Sequence, residues 1–129
     1  MKQRHTILIA DRNRHVREYI GREMMAEGYE VLLAGSSQDV LKHAYKPEPL
    51  DLLILDPDLP DSEGITLLEK IEDRIPSLPV VIHAFLSDYR NDSIFSGVVA
   101  FVEKDASSID RLKALVARLL RPEKMNGST

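Results

Sequence analysis

Asp56 closes the apolar run LDLLIL and opens the acidic segment LDPDLPDSEG, which holds Asp58, Asp61 and two prolines before Gly64. A carboxylate at the end of a buried strand can serve as a nucleophile when nearby cations neutralise the charge that builds on the group it attacks. Two further apolar runs also end on charge: TILIA leads into Asp11, and AFVE leads into Lys104. A fourth run, PVVIHA, ends on Ala84. Each residue has a plain alternative role, with Asp56 capping its turn, Asp11 capping the first helix and Lys104 lying on the surface. Asp58 and Asp61 read as solvated loop acids or as caps for the third helix. What would turn separate charges into a site is a fold that gathers the ends of these runs.

The order of elements supplies that fold. Short apolar runs alternate with segments of helical period, without repeats or low-complexity blocks. After Thr6 to Ala10, the residues Val16, Ile20 and Met24 mark a first helix, which Gly28 stops. YEVLLA is a second strand, and SSQDVLKHAY a second helix with a serine cap and Val40, Leu41 and Ala44 inward. LDLLIL is the third strand, and Ile65, Leu68 and Ile71 define a third helix that ends before Pro76. PVVIHA and VVAFVE are strands four and five, separated by the weakly periodic FLSDYRNDSIFSG, read as a short fourth helix. SSIDRLKALVARLL closes the series with Ile109, Leu112, Leu115, Val116 and Leu119 on one face and serine at its start.

Five strand-helix units predict an α/β fold, a three-layer sandwich with a five-stranded parallel sheet and right-handed crossovers. In such a sheet the ligand crevice lies beyond the carboxyl ends of the strands. Asp11, Asp56, Ala84 and Lys104 should therefore meet there. The 129 residues, 43% of them hydrophobic, suit one domain with a core of about 6–121 and a flexible tail at 122–129. Seventeen basic against 21 acidic residues leave a net charge of -4, which argues against direct binding to nucleic acid or an anionic membrane. Cysteine is absent, excluding disulfides and thiolate metal sites, and the four histidines show no ligand spacing. The N-terminal apolar run is too short for a membrane span, so a cytoplasmic location is expected.

The segments ILIAD, LILDPDLPDSEG, LPVVIHA and AFVEK, in that order between Ile7 and Leu120, resemble the receiver domain of two-component response regulators. The resemblance implies the flavodoxin-like (CheY-like) (βα)5 fold with strand order 2-1-3-4-5. It implies that Asp56 accepts a phosphoryl group from a sensor histidine kinase and that Lys104 contacts the phosphoryl oxygens. Mg²⁺ would be held by Asp11, Asp56 and the backbone carbonyl of Asp58, and Ala84 and Phe101 would stand at the switch positions. The face of strand four, helix four and strand five would carry the signal to an output domain or partner protein, with the chain a monomer or weak homodimer.

Three departures accompany the match. Arg12 stands where the family places its principal Mg²⁺-binding acid, so the metal site loses a carboxylate and gains a cation. A guanidinium facing inward would repel the ion by about 4 kcal/mol at 4 Å and an effective dielectric of 20, whereas one turned to solvent would not. Ala84 lacks the hydroxyl that the family carries there, a one-residue shift to His83 being disfavoured because it would flip every neighbour. Asp105 replaces the proline that commonly follows the lysine, which makes a cis peptide improbable and predicts a different loop path.

Three functions are compatible with these residues: a receiver phosphorylated on Asp56 with impaired Mg²⁺ binding, a phosphorylation-independent interaction module, and, least, an aspartate-based phosphatase suggested by D-x-D. The first two are not enzymes acting on a substrate of their own. Flavodoxin-like cofactor binding is excluded by the lack of a phosphate loop after strand one.

Overall fold

Three buried runs, TILIA, LLIL and VVIHA, dictate the architecture, because apolar side chains on both faces of a strand need cover on both faces. The computed structural model describes residues 4–61, 64–72, 77–85 and 98–121. Its strands are β1 (Thr6–Ala10), β2 (Glu30–Ala34), β3 (Leu52–Leu55), β4 (Val80–Ala84) and β5 (Ala100–Glu103), and its helices are α1 (Arg14–Ala26), α2 (Ser37–Ala44), α3 (Gly64–Ile71) and α4 (Ser108–Leu120). All neighbouring strands pair in parallel, in the order β2-β1-β3-β4-β5 that the sequence predicts. Apart from Phe85, the segment FLSDYRNDSIFSG expected to hold a fourth helix, and the tail from residue 122, lie outside the described residues.

Two clusters flank the sheet. Ile20 and Met24 of α1 and Leu112 and Val116 of α4 pack with Ile7, Ile9, Ile54 and Val81 on one face. Val40 and Ala44 of α2 and Leu67 and Ile71 of α3 pack with Leu8, Leu53, Val80 and Ile82 on the other. Successive residues of each central strand thus serve opposite layers, as the pleat requires. Among the described side chains of α3 the most buried is Leu67, where the periodicity favoured Leu68, which packs against the cluster only partly buried.

Local signals set the ends of the elements. The Asn13 side chain accepts hydrogen bonds from the backbone N–H of His15 and Val16 at 2.9 and 3.1 Å, so Asn13 caps α1 and Asp11 does not. Gly28 follows the helix with φ of 100°, the left-handed geometry that terminates helices at little cost only for glycine. Ser36 caps α2 as expected, accepting from the Asp39 N–H at 3.2 Å. Ser107 sits at the N-cap of α4 yet makes no side-chain cap bond, contrary to the sequence reading. Asp105 instead fixes the turn before the helix, accepting from the Ser107 N–H at 2.9 Å while its other oxygen pairs with Arg111 at 2.9 Å.

Leu53 is fully buried in β3, between Leu8 and Val80 in register. Leu53→Ala is expected to cost about 2–5 kcal/mol in urea unfolding, against no more than about 0.5 kcal/mol for Met25→Ala on the exposed side of α1.

Candidate functional site

Parallel pairing carries the strand ends to one edge of the sheet. The ladder continues one step past β1, β3 and β5: Asp11 N–H donates to the Ala34 carbonyl at 3.1 Å, Asp56 N–H to Ala10 at 2.8 Å, and Lys104 N–H to Ala84 at 2.9 Å. Backbone bonds therefore fix where three charged side chains start. Asp11 and Asp56 are 1% and 2% exposed, which places two carboxylates in a nearly dry crevice. The Lys104 ammonium lies 2.9 Å from Asp11 Oδ2 and 3.5 Å from Asp56 Oδ2, and it bridges them. The convergence of Asp11, Asp56 and Lys104 expected from the sequence is present.

Each remaining carboxylate oxygen has a donor. Asp11 Oδ1 accepts from the Asn13 N–H at 2.9 Å, and Asp56 Oδ1 from the Asp58 N–H at 3.0 Å. Asp56 Oδ2 also accepts from the Arg12 N–H at 3.3 Å. Burial pushes the Asp11 carboxyl above the ordinary carboxylate range, and the Asn13 N–H and the Lys104 ammonium offset that only in part.

Arg12, whose orientation the sequence left open, turns toward the acids. Its Nε lies 3.6 Å from Asp56 Oδ2 and its Nη1 3.7 Å from Asp58 Oδ2, with the side chain 49% exposed. Its contact is accordingly looser than that of Lys104, and solvent screens it. The result is three carboxylates facing two cations. Mg²⁺ demands near-octahedral oxygen ligation. The donor set fits it poorly while Lys104 and the Arg12 backbone and guanidinium occupy the oxygens of Asp11 and Asp56. Among the described residues, no three acidic or histidine side chains are grouped as metal ligands.

Ala84 and His83 occupy opposite faces. Ala84 packs into the cluster of α2 and α3, on the register chosen from the sequence, and presents a methyl group. Phe101 packs partly buried against the same cluster. His83 points toward α4, where its Nε2 lies 3.1 Å from Ser108 Oγ; its Nδ1 is buried and has no partner among the described residues. Burial first, and then the Lys104 ammonium, lower its pKa from 6.5 to about 4. The sequence signal for this pair was a lone polar residue inside VVIHA, a strand otherwise apolar on both faces.

Asp61 serves a helix other than the one that follows it in the chain. Its two oxygens accept from the Ser37 and Gln38 N–H groups at 2.7 and 3.1 Å, capping α2 from 24 residues away. Those bonds, that to Ser37 foremost, hold its carboxyl below the usual range. No local pattern reveals a cap donated from another loop. Asp105 anchors the turn that replaces the expected proline, and Arg111 braces it through the Glu103 carbonyl at 2.9 Å.

Residues 7–117 match the family described as response regulator receiver domain. Response regulator RR06 of Streptococcus pneumoniae is 32% identical over 117 residues, covering 87% of this chain and 53% of its own length. A protein-glutamate methylesterase/protein-glutamine glutaminase of Rhodopseudomonas palustris is 34% identical over 101 residues, 77% of this chain and 27% of that protein. The chain thus spans about half of the first relative and about a quarter of the second. Among solved structures, a CheY-like receiver domain protein from Methanospirillum hungatei is 27% identical with a TM-score of 0.80, covering 95% of this chain and 98% of that one. The response regulator TrrA of Thermotoga maritima, in complex with Mg²⁺-BeF, is 28% identical with a TM-score of 0.80, covering 90% and 99%. It has also been solved in complex with the histidine kinase ThkA.

The neutral burial of His83 generates a pH dependence with a definite sign. Its pKa falls from 6.5 in the unfolded chain to about 4 in the fold, so the unfolded state binds the proton more readily. Stability is fully present above pH 6.5 and is lost as pH falls toward 4, by roughly 3 kcal/mol. Asp11, with its raised pKa, works in the opposite sense. Urea midpoints of His83→Val measured from pH 7.5 to 4.5 should decline less than those of the parent chain, and parallel curves would contradict the assignment.

Proposed function

This chain belongs to the response regulator receiver domain family, and we propose from that premise that it accepts a phosphoryl group on Asp56 slowly, with protein cations doing most of the work that Mg²⁺ does elsewhere in the family. The observation that carries this reading is Arg12. Its guanidinium contacts both Asp56 and Asp58 where the family has a metal-binding acid.

Receivers act in phosphorelay signalling, and the donor proposed here is a phosphohistidine of a sensor kinase, as the ThkA complex of TrrA suggests. A carboxylate oxygen of Asp56 attacks phosphorus, a P–O bond forms as the P–N bond breaks, and the departing imidazole is protonated from solvent. Lys104 then shifts part of its charge from Asp11 to the phosphoryl oxygens, and Arg12 moves from Asp58 toward the same group. The methyl group of Ala84 offers no hydrogen bond where the family has a hydroxyl. Mg²⁺ does not fit while Arg12 holds its place, so no step is assigned to it; displacement of Arg12 to solvent would leave a weak site at Asp11, Asp56 and the Asp58 carbonyl.

Residues 1–129 are proposed to form one receiver unit that passes its signal through the β4–β5 face, with Phe101 as the switch aromatic, and that has no substrate of its own. A second reading, a module held in one conformation without phosphorylation, draws on the fact that every oxygen of Asp11 and Asp56 already has a donor.

Intact mass after incubation with acetyl phosphate and Mg²⁺, quenched in acid, separates the two. A phosphoryl adduct absent from Asp56→Asn is expected, formed about a hundredfold more slowly than in the variant combining Arg12→Asp with Ala84→Thr. An adduct in the double variant and none in the parent chain would establish the locked module instead.

A further inference from the structure

The crevice depends on a backbone donor as well as on side chains. Asp56 Oδ2 accepts from the Arg12 N–H at 3.3 Å, and that N–H shares one peptide unit with the carbonyl of Asp11. The carbonyl has a partner of its own, Arg17 Nη1 of α1, which donates to it at 2.9 Å. A trans peptide is planar, with its C=O and N–H directed oppositely, so whatever fixes the carbonyl also aims the N–H. Arg17 is thereby linked to Asp56 through one rigid unit.

The end of β2 makes room for that link. A Cβ on Gly35 would stand 3.0 Å from Arg17 Nη1 and 3.1 Å from its Cζ, so the guanidinium lies against backbone that any other residue would crowd. One residue earlier, the Ala34 carbonyl accepts the Asp11 N–H at 3.1 Å. The same turn therefore holds Asp11 by its N–H and seats the guanidinium that holds its carbonyl. The base of the Arg17 side chain is anchored too, because the Arg17 N–H donates to the Asn13 carbonyl at 3.0 Å and the Asn13 N–H to Asp11 Oδ1 at 2.9 Å.

A charged donor on a carbonyl polarises the amide and strengthens its N–H as a donor. Without that donor the peptide plane can turn about the bonds that flank it, and Asp56 Oδ2 loses a fixed partner. The other cationic contacts to this oxygen are longer, 3.5 Å from Lys104 and 3.6 Å from Arg12 Nε, and both cations are the groups proposed above to move toward the phosphoryl oxygens. The backbone N–H is the donor that can stay.

We infer that Arg17 is a positioning residue for the Asp56 chemistry: by holding the Asp11 carbonyl it aims the Arg12 N–H at Asp56 Oδ2 and keeps the attacking carboxylate oriented while the cations shift. The role rests on the phosphoacceptor reading above, whereas the aim of the N–H does not.

Arg17→Met keeps most of the stem and removes the donor, and Arg17→Lys keeps a cationic donor. In ¹H–¹⁵N spectra of the unphosphorylated protein, the Arg12 amide proton should move in Arg17→Met toward its position in Asp56→Ala, where the acceptor is absent. It should stay near the parent position in Arg17→Lys, and Gly35→Ala, which crowds the guanidinium and leaves its charge, should move it part of the way. Labelling by acetyl phosphate and Mg²⁺ is then followed by intact mass in the background combining Arg12→Asp with Ala84→Thr, which retains the N–H of residue 12 and is expected to be phosphorylated even where the parent chain is a locked module. There Arg17→Met should slow labelling about tenfold, the ordinary net worth of one hydrogen bond to a charged group. Arg17→Lys should restore most of the rate, and Val116→Ala, destabilised by a core cavity in the second half of α4, should leave it unchanged. An Arg12 amide that ignores Arg17→Met, an unchanged labelling rate, or equal slowing by Val116→Ala would overturn the role. No adduct in that background would overturn the phosphoacceptor reading, and the role with it, even with the amide shift in place.

Discussion

Lys104 between Asp11 and Asp56 is the interaction on which the carboxyl edge of this sheet depends. Two buried carboxylates this close could not both stay ionised without a counter-charge, since desolvation and mutual repulsion act in the same direction. The ammonium answers both, and it does so unequally: 2.9 Å to Asp11 and 3.5 Å to Asp56. Its position is not a matter of side-chain reach alone. The Lys104 N–H is tied to the Ala84 carbonyl, and the Asp56 N–H to Ala10, so pairing of β3 with β1 and of β5 with β4 delivers acid and base to the crevice. Removing the lysine would leave buried charge uncompensated, a far larger penalty than the net worth of the pair.

Arg12 changes the character of that crevice without changing its architecture. A carboxylate there would leave Lys104 alone to balance four acids, and a divalent cation would be strongly drawn in. A guanidinium reduces the deficit to three acids against two cations. The two cations thus offset much of the acidic charge that the three carboxylates bring together. The Arg12 contact with Asp56 is long, 3.6 Å, and half-exposed, so solvent screens it and little free energy holds the guanidinium there.

Much of this was legible from the chain. Strand-ending residues are readable because β1, β3 and β4 are continuous apolar runs that stop abruptly on charge or at a loop, and a parallel sheet then fixes where those ends meet. Helix faces were readable where the period was strong, as in α1 and α4, and less so in α3, where Leu67 and Leu68 compete for the interior and only tertiary packing decides. The caps show the limit best. Asn13 and Ser36 act on their own helices, whereas Asp61 serves α2 from the loop after β3, 24 residues away. Such a bond joins segments that sequence spacing cannot relate. The direction of the Arg12 side chain belongs to the same class, because it follows from the positions of Asp56 and Asp58 rather than from its own neighbours.

The register of β4 ties the two halves of the molecule together. Val81, Ile82, His83 and Ala84 pair with Ala100, Phe101, Val102 and Glu103, so a slip of one residue would place the imidazole against the α2 and α3 layer and the methyl group against α4. Buried apolar partners on both faces forbid that slip. The loss of a hydroxyl at Ala84 and the presence of an imidazole at His83 are therefore separate facts about opposite faces, and neither compensates for the other. They meet only through Lys104, whose backbone is bonded to Ala84, whose ammonium holds the two acids, and whose charge lowers the basicity of His83. Any event that draws that ammonium toward a phosphoryl group on one side must also alter the electrostatic field at the imidazole on the other.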